Sequence, residues 1–95
     1  MSDMSAPSPH LQQLIGQVVV LDVQAPFVYV GTLREFDHRY LVLTDADVHD
    51  LRDTTTTRDL YVLEARRHGV NVNRRSLLVN RDQVVSLSAL DEVRE

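Results

Sequence analysis

Three places in the chain carry residues whose types and spacing could do chemistry. The first is the run Glu35, Phe36, Asp37, His38, Arg39 and Tyr40, set between two hydrophobic stretches. A carboxylate, an imidazole, a guanidinium and a phenol in succession could hold a ligand by charge and ring stacking. The same residues suit a tight turn, in which Asp37 accepts backbone N–H bonds and Phe36 is core. On the residues alone both readings stay open. The second place is Asp45, Asp47 and His49, whose alternate spacing sets them on one strand face with Leu41 and Leu43. Oxygen and imidazole ligands so spaced could hold a divalent cation, but a solvated strand end explains them better, and no metal is assigned. The third is the pair of basic groups Arg66–Arg67–His68 and Arg74–Arg75. They could contact phosphates, although cations complementing a helix C-terminus account better for the first group.

Other chemistry finds little support. The chain has no cysteine, which removes disulfides, thiolate metal sites and cysteine nucleophiles. Ser76, Ser86 and Ser88 lack a glycine elbow, and Gly16, Gly31 and Gly69 are too scattered for a phosphate-binding loop. No enzyme activity and no cofactor are expected. The formal net charge of −4 argues against a general polyanion binder but leaves room for local recognition by a few arginines. All ten cationic Lys/Arg residues are arginine, which suits forked and stacked contacts and equally reflects a GC-rich coding background. No apolar run is long enough to span a membrane, and the opening residues lack the order of a signal peptide. With no cysteine, this fits a cytoplasmic protein.

The 95 residues suffice for one domain, and the elements that would position these groups are short. Residues 1–9 read as a disordered tail. Ser8 and Pro9 read as the N-cap and first residue of a two-turn helix carrying Leu11, Leu14 and Ile15, which Gly16 stops. Strands are expected at Gln17–Val23, at Phe27–Phe36 and from Tyr40 to about Asp50, with Gly31 marking a sharp bend or bulge. A helix is expected over Arg58–His68, capped by Thr56 with Asp59 three residues on; the competing reading is a strand through Leu60–Ala65. Val70–Asn80 and Gln83–Leu87 complete five strands, joined by a short turn at Arg81–Asp82, and residues 89–95 form a charged C-terminal tail. The pattern implies a mainly β fold: a small, strongly bent, five-stranded antiparallel barrel behind an N-terminal helix, with a helical insertion between the third and fourth strands. A barrel this small leaves open edges, and pairing unlike edges of identical copies closes into rings when the rotation fits.

At this point the chain resembles the Sm/LSm family over roughly His10 to Leu87. The opening "HLQQLIGQVVVLDV" is similar to the family's helix and first strand. "YVGTLREFDHRYLVLTDA" resembles its first signature at Gly31, Leu33, Phe36–Asp37 and Leu41–Leu43, and "LLVNRDQVVSL" resembles the second. The resemblance implies an Sm-like domain over residues 10–88 in an SH3-type barrel. It implies a homo-oligomeric ring joined through the fourth and fifth strands, binding single-stranded, often U-rich, RNA around its pore.

Carried over residue by residue, the implied RNA-binding residues are Asp37, His38, Arg39, Tyr40, Asn80 and Arg81. Asp37 matches the signature directly, and the stacking role falls on His38 or Arg39. The family's base-reading Asn is absent: Tyr40 stands nearest to it, in a turn one residue shorter than usual. Asn80–Arg81 replaces the family's Arg–Gly pair. The alternative is an Sm-like structural or protein-interaction module that has lost the nucleotide pocket, with the helical insertion as its partner-binding surface.

Overall fold

The computed structural model describes residues 8–53 and 55–94. Of the tail expected over residues 1–9, residues 1–7 lie outside them. The elements are α1 (Pro9–Leu14), β1 (Val18–Val23), β2 (Phe27–Phe36), β3 (Tyr40–Asp50), α2 (Arg58–His68), β4 (Arg74–Asn80) and β5 (Val84–Ala89), with 3-10 turns at Arg81–Gln83 and Leu90–Glu92. Every strand pairing is antiparallel and the sheet order is β4-β3-β2-β1-β5, so β4 and β5 are its two edges. The five-stranded sheet and both helices are those expected.

The sheet bends where Gly31 of β2 meets β3. Val30 lies opposite Asp47 and Thr32 opposite Thr44, so Asp45 and Ala46 together face Gly31. Asp45 takes a left-handed backbone, φ 49°, to make this bulge. The extra residue moves the side-chain alternation by one position. Ala46 therefore joins Leu41 and Leu43 in the main core, and Asp47 turns to the other side.

Two apolar clusters result. The main core lies inside the bend, where Val19, Leu21, Leu33, Leu41, Leu43 and Val79 pack with Leu11 of α1. Alternate residues Val20, Val28 and Val30 line the opposite face and bury Val62 and Ala65 of α2 and Leu90. The β3–β4 insertion thus supplies a third layer, covering the outside of the sheet.

Local chemistry explains the element ends. The Ser8 hydroxyl accepts from Leu11 N–H at 3.2 Å, and Pro9 starts α1. The cap of α2 is Thr57, not Thr56: its hydroxyl accepts from Leu60 N–H at 3.2 Å, which puts Leu60, not Asp59, three residues after the cap. Gly69, at φ 90°, stops α2 directly after Arg66, Arg67 and His68. Those cations complement the helix dipole. The buried stripe of α2 is Val62 and Ala65 with half-buried Tyr61, and Leu60 is exposed. β4 starts at Arg74 and not at Val70. The Asn73 side chain takes both the N–H (3.0 Å) and the C=O (3.2 Å) of Val48, so the ladder ends there. β5 runs on to Ala89 because Ala89 and Leu90 find buried places under β1 and α2.

Candidate nucleic-acid interface

The segment after β2 is an Asp-centred turn. Oδ1 of Asp37 accepts from the backbone N–H of both Arg39 and Tyr40 at 2.7 Å, and Asp37 N–H donates to the Tyr40 carbonyl at 3.0 Å. The Tyr40 bond and then the Arg39 bond hold the Asp37 carboxyl below its usual pKa. The turn therefore uses up the carboxylate, while the side chains of His38 and Arg39 are exposed at its tip, with no hydrogen bond to a described residue.

The β4–β5 corner closes on this turn. Arg81 N–H donates to the Arg39 carbonyl at 2.9 Å, its guanidinium donates from Nη1 to the Asp37 carbonyl, and the same group lies 5.9 Å from the Phe36 ring centroid. Asn80 pairs with Tyr40 across β3 and β4, and its Oδ1 accepts from Asp82 N–H at 2.9 Å. Tyr40 is half-buried on the face opposite Leu41, outside the main core.

All six residues that the family resemblance singles out, Asp37, His38, Arg39, Tyr40, Asn80 and Arg81, thus meet at one end of the sheet, although the chain separates Asp37 from Arg81 by 44 positions. Their chemistry divides. Asp37 and Arg81 are committed to building the corner. Asn80 has its carbonyl engaged and its amide N–H₂ left over. His38, Arg39 and the Tyr40 ring are the groups available to a ligand: two cationic or polar tips and an aromatic face, suited to phosphates and base stacking. The latch of Arg81 onto the Asp37 carbonyl left no mark in the sequence, because nothing in residue type tells which carbonyl a distant guanidinium will reach.

No strand face carries Asp45, Asp47 and His49 together: Asp47 and His49 share one, and Asp45 leaves it. The bulge throws Asp45 outward, while Asp47, 5% exposed, points under α2. There its two oxygens accept from the Tyr61 hydroxyl and from Asn73 Nδ2 (2.8 Å). His49 stacks on the Tyr61 ring, centroids 4.1 Å apart and 8° from parallel. Among the described residues no group of His, Asp and Glu is arranged to hold a metal ion. Nor is any described helix long and apolar enough to cross a membrane.

No protein-family model and no curated protein sequence matches the chain. Solved structures do. The Pyrococcus abyssii Sm protein in complex with a uridine heptamer superposes at TM-score 0.59, 18% identity, over 87% of this chain and 99% of that one. A heptameric archaeal Sm protein gives 0.55 and 21% over 86% and 97%, and the P. aerophilum SmAP1 heptamer gives 0.54 and 22% over 84% and 86%. These likenesses cover most of the chain and hold at low identity. The chain has an Sm-like fold, carried by a divergent sequence.

Proposed function

We propose that this chain is a non-enzymatic, ring-forming Sm-like protein that binds single-stranded RNA at the corner between the Asp37 turn and Asn80–Arg81. The meeting of those two segments carries the reading: a rigid turn, latched from a distant strand end, presents His38, Arg39 and Tyr40 together. Two observations support assembly. β4 and β5 are open edges, and each exposes a large apolar side chain, Leu78 at 60% and Val85 at 66%. Two of the superposed structures are heptamers. A ring repeats the corner in every copy, so weak contacts to one strand multiply through avidity.

Stacking and phosphate contacts read no base edge, since Tyr40 lacks the amide that would pair with one. Oligo-U and oligo-A are therefore expected to bind comparably. Fluorescence anisotropy at low salt, with both oligomers and the assembled protein, tests the reading. An intact ring that binds neither would sink it and would support the second reading, a protein-interaction module. That alternative draws on the engagement of Asp37 and Arg81 in internal bonds.

A further inference from the structure

The second face of the sheet holds a groove that neither the RNA corner nor the sheet's own packing explains. It measures about 480 Å³ and runs between α2 and β5. Val62 and Leu63 of α2 and Ser88 of β5 form its walls, and its floor includes Val20 and the Asp22–Arg58 ion pair, 3.2 Å long. Leu63 is half-buried at its rim, whereas Leu60 points to solvent.

Register fixes which side chains would meet there if the sheet continued into a second copy. On β5, Ser88 lies opposite Val20 and Ser86 opposite Asp22, so both serines are on the α2 side. On β4, Leu78 and Ser76 lie opposite Val42 and Thr44, away from the main core. A continuous sheet keeps its alternation across a new strand pair. The face of β4 that carries Leu78 must therefore continue the face of β5 that α2 overhangs. The seven residues of β4 and the six of β5 overlap end to end if they pair antiparallel, as every other pair here does. That overlap sets Leu78 beside Ser86 and Ser88, and brings Arg74 and Arg75 to the end of β5 where Asp91 and Glu92 follow.

We infer that the groove between α2 and β5 seats β4 of an adjacent copy, with Leu78 of that copy beneath α2 and its Arg74 and Arg75 against Asp91 and Glu92. The β3–β4 insertion is then an interface element as well as a cover for the sheet. This rests on the ring-forming reading and extends it from the strand edges to the helix. An exposed leucine gains burial, and two exposed arginines gain carboxylate partners at the rim. Arg66 and Arg94 also border that acidic pair, so a charge reversal with rescue is more informative than a deletion.

The experiment is sedimentation velocity of the full chain over a concentration series. Leu63→Asp is expected to raise the assembly midpoint by about tenfold or more, and Leu60→Asp, on the solvent face of α2, to leave it in place. Arg74→Glu with Arg75→Glu should weaken assembly, and adding Asp91→Arg with Glu92→Arg should restore it. Circular dichroism of the dilute variants reports whether each remains folded. A folded Leu63→Asp variant that assembles like the parent overturns the inference and leaves the ring reading standing. A parent chain that stays monomeric overturns both. Should Leu63→Asp fail to fold, the charge reversal decides: rescue supports the docking, and its absence overturns it.

Discussion

Gly31 stands directly against Ala46: a Cβ on Gly31 would lie 2.6 Å from the Ala46 Cβ and 3.0 Å from its Cα. The close approach sits at the bulge that bends the sheet, sends Ala46 into the main core and turns Asp47 to the other face, under α2. Neither neighbour can retreat, since Ala46 is fully buried and belongs to the ladder. Gly31→Ala is therefore expected to cost about 2 kcal/mol or more, by overpacking, in urea unfolding of the whole chain. An alanine variant as stable as the parent would mean that the bend does not depend on this approach.

Asp47 lies under α2 between two donors, the Tyr61 hydroxyl and Asn73 Nδ2. Tyr61→Phe removes one and leaves a buried oxygen short of a partner, at an expected loss of about 1–3 kcal/mol. Burial, followed by the bond to Asp47, pushes the Tyr61 phenol well above its ordinary value of 10.0. A folded-state pKa raised in this way gives stability that is fully present below about pH 10 and lost as the pH rises through the folded value. In an alkaline absorbance titration the Tyr61 midpoint, identified by its loss in Tyr61→Phe, should lie above 10.0 or appear only on unfolding. A Tyr61 midpoint at or below 10.0 in the folded chain would contradict the network.

The Asp37 turn carries the opposite sign. Its carboxyl is held below the ordinary 3.8, chiefly by the Tyr40 N–H and next by that of Arg39. The stabilisation is present above the unfolded pKa and lost as the pH falls through the lower, folded one. A carbon-detected NMR titration should place the Asp37 midpoint below 3.8. Asp37→Asn keeps an acceptor for both amides, whereas Asp37→Ala should speed hydrogen exchange at Tyr40. Equal exchange in the two variants would refute the turn's dependence on Oδ1.

Arg39 offers a guanidinium that no described residue engages. Arg39→Ala should weaken binding of oligo-U and oligo-A alike and leave the melting temperature in place. It should also flatten the salt dependence of log K by roughly 0.7 for each phosphate that the guanidinium neutralises in the parent. Arg81→Ala, by contrast, should lower both affinity and the order of the turn, because Arg81 holds the Asp37 carbonyl. An unchanged salt slope in Arg39→Ala would show that this side chain does not meet phosphate.

Residue type alone settles the local features. Ser8–Pro9 caps a helix through a hydroxyl and a missing N–H, Gly69 ends one through a positive φ, and β-branched runs such as "QVVVLDV" make strands by side-chain shape. Gly31 announced its bend because a missing Cβ inside a strand asks for a neighbour that needs the space. Most of these involve residues a few positions apart, so their types are enough to read them.

The remaining features depend on how the chain folds back on itself. The Asp45 bulge changed which face Asp47 and His49 occupy, and strict alternation cannot reveal one inserted residue whose partner lies on another strand. The cap moved from Thr56 to Thr57 because adjacent threonines are chemically alike, so only the docking of Val62 and Ala65 on β1 and β2 sets the helix phase. The corner itself depends on a fold that carries Arg81 across 44 positions of sequence to the Asp37 carbonyl. Residue types marked its members, but long-range strand pairing, which residue type does not encode locally, put them in one place.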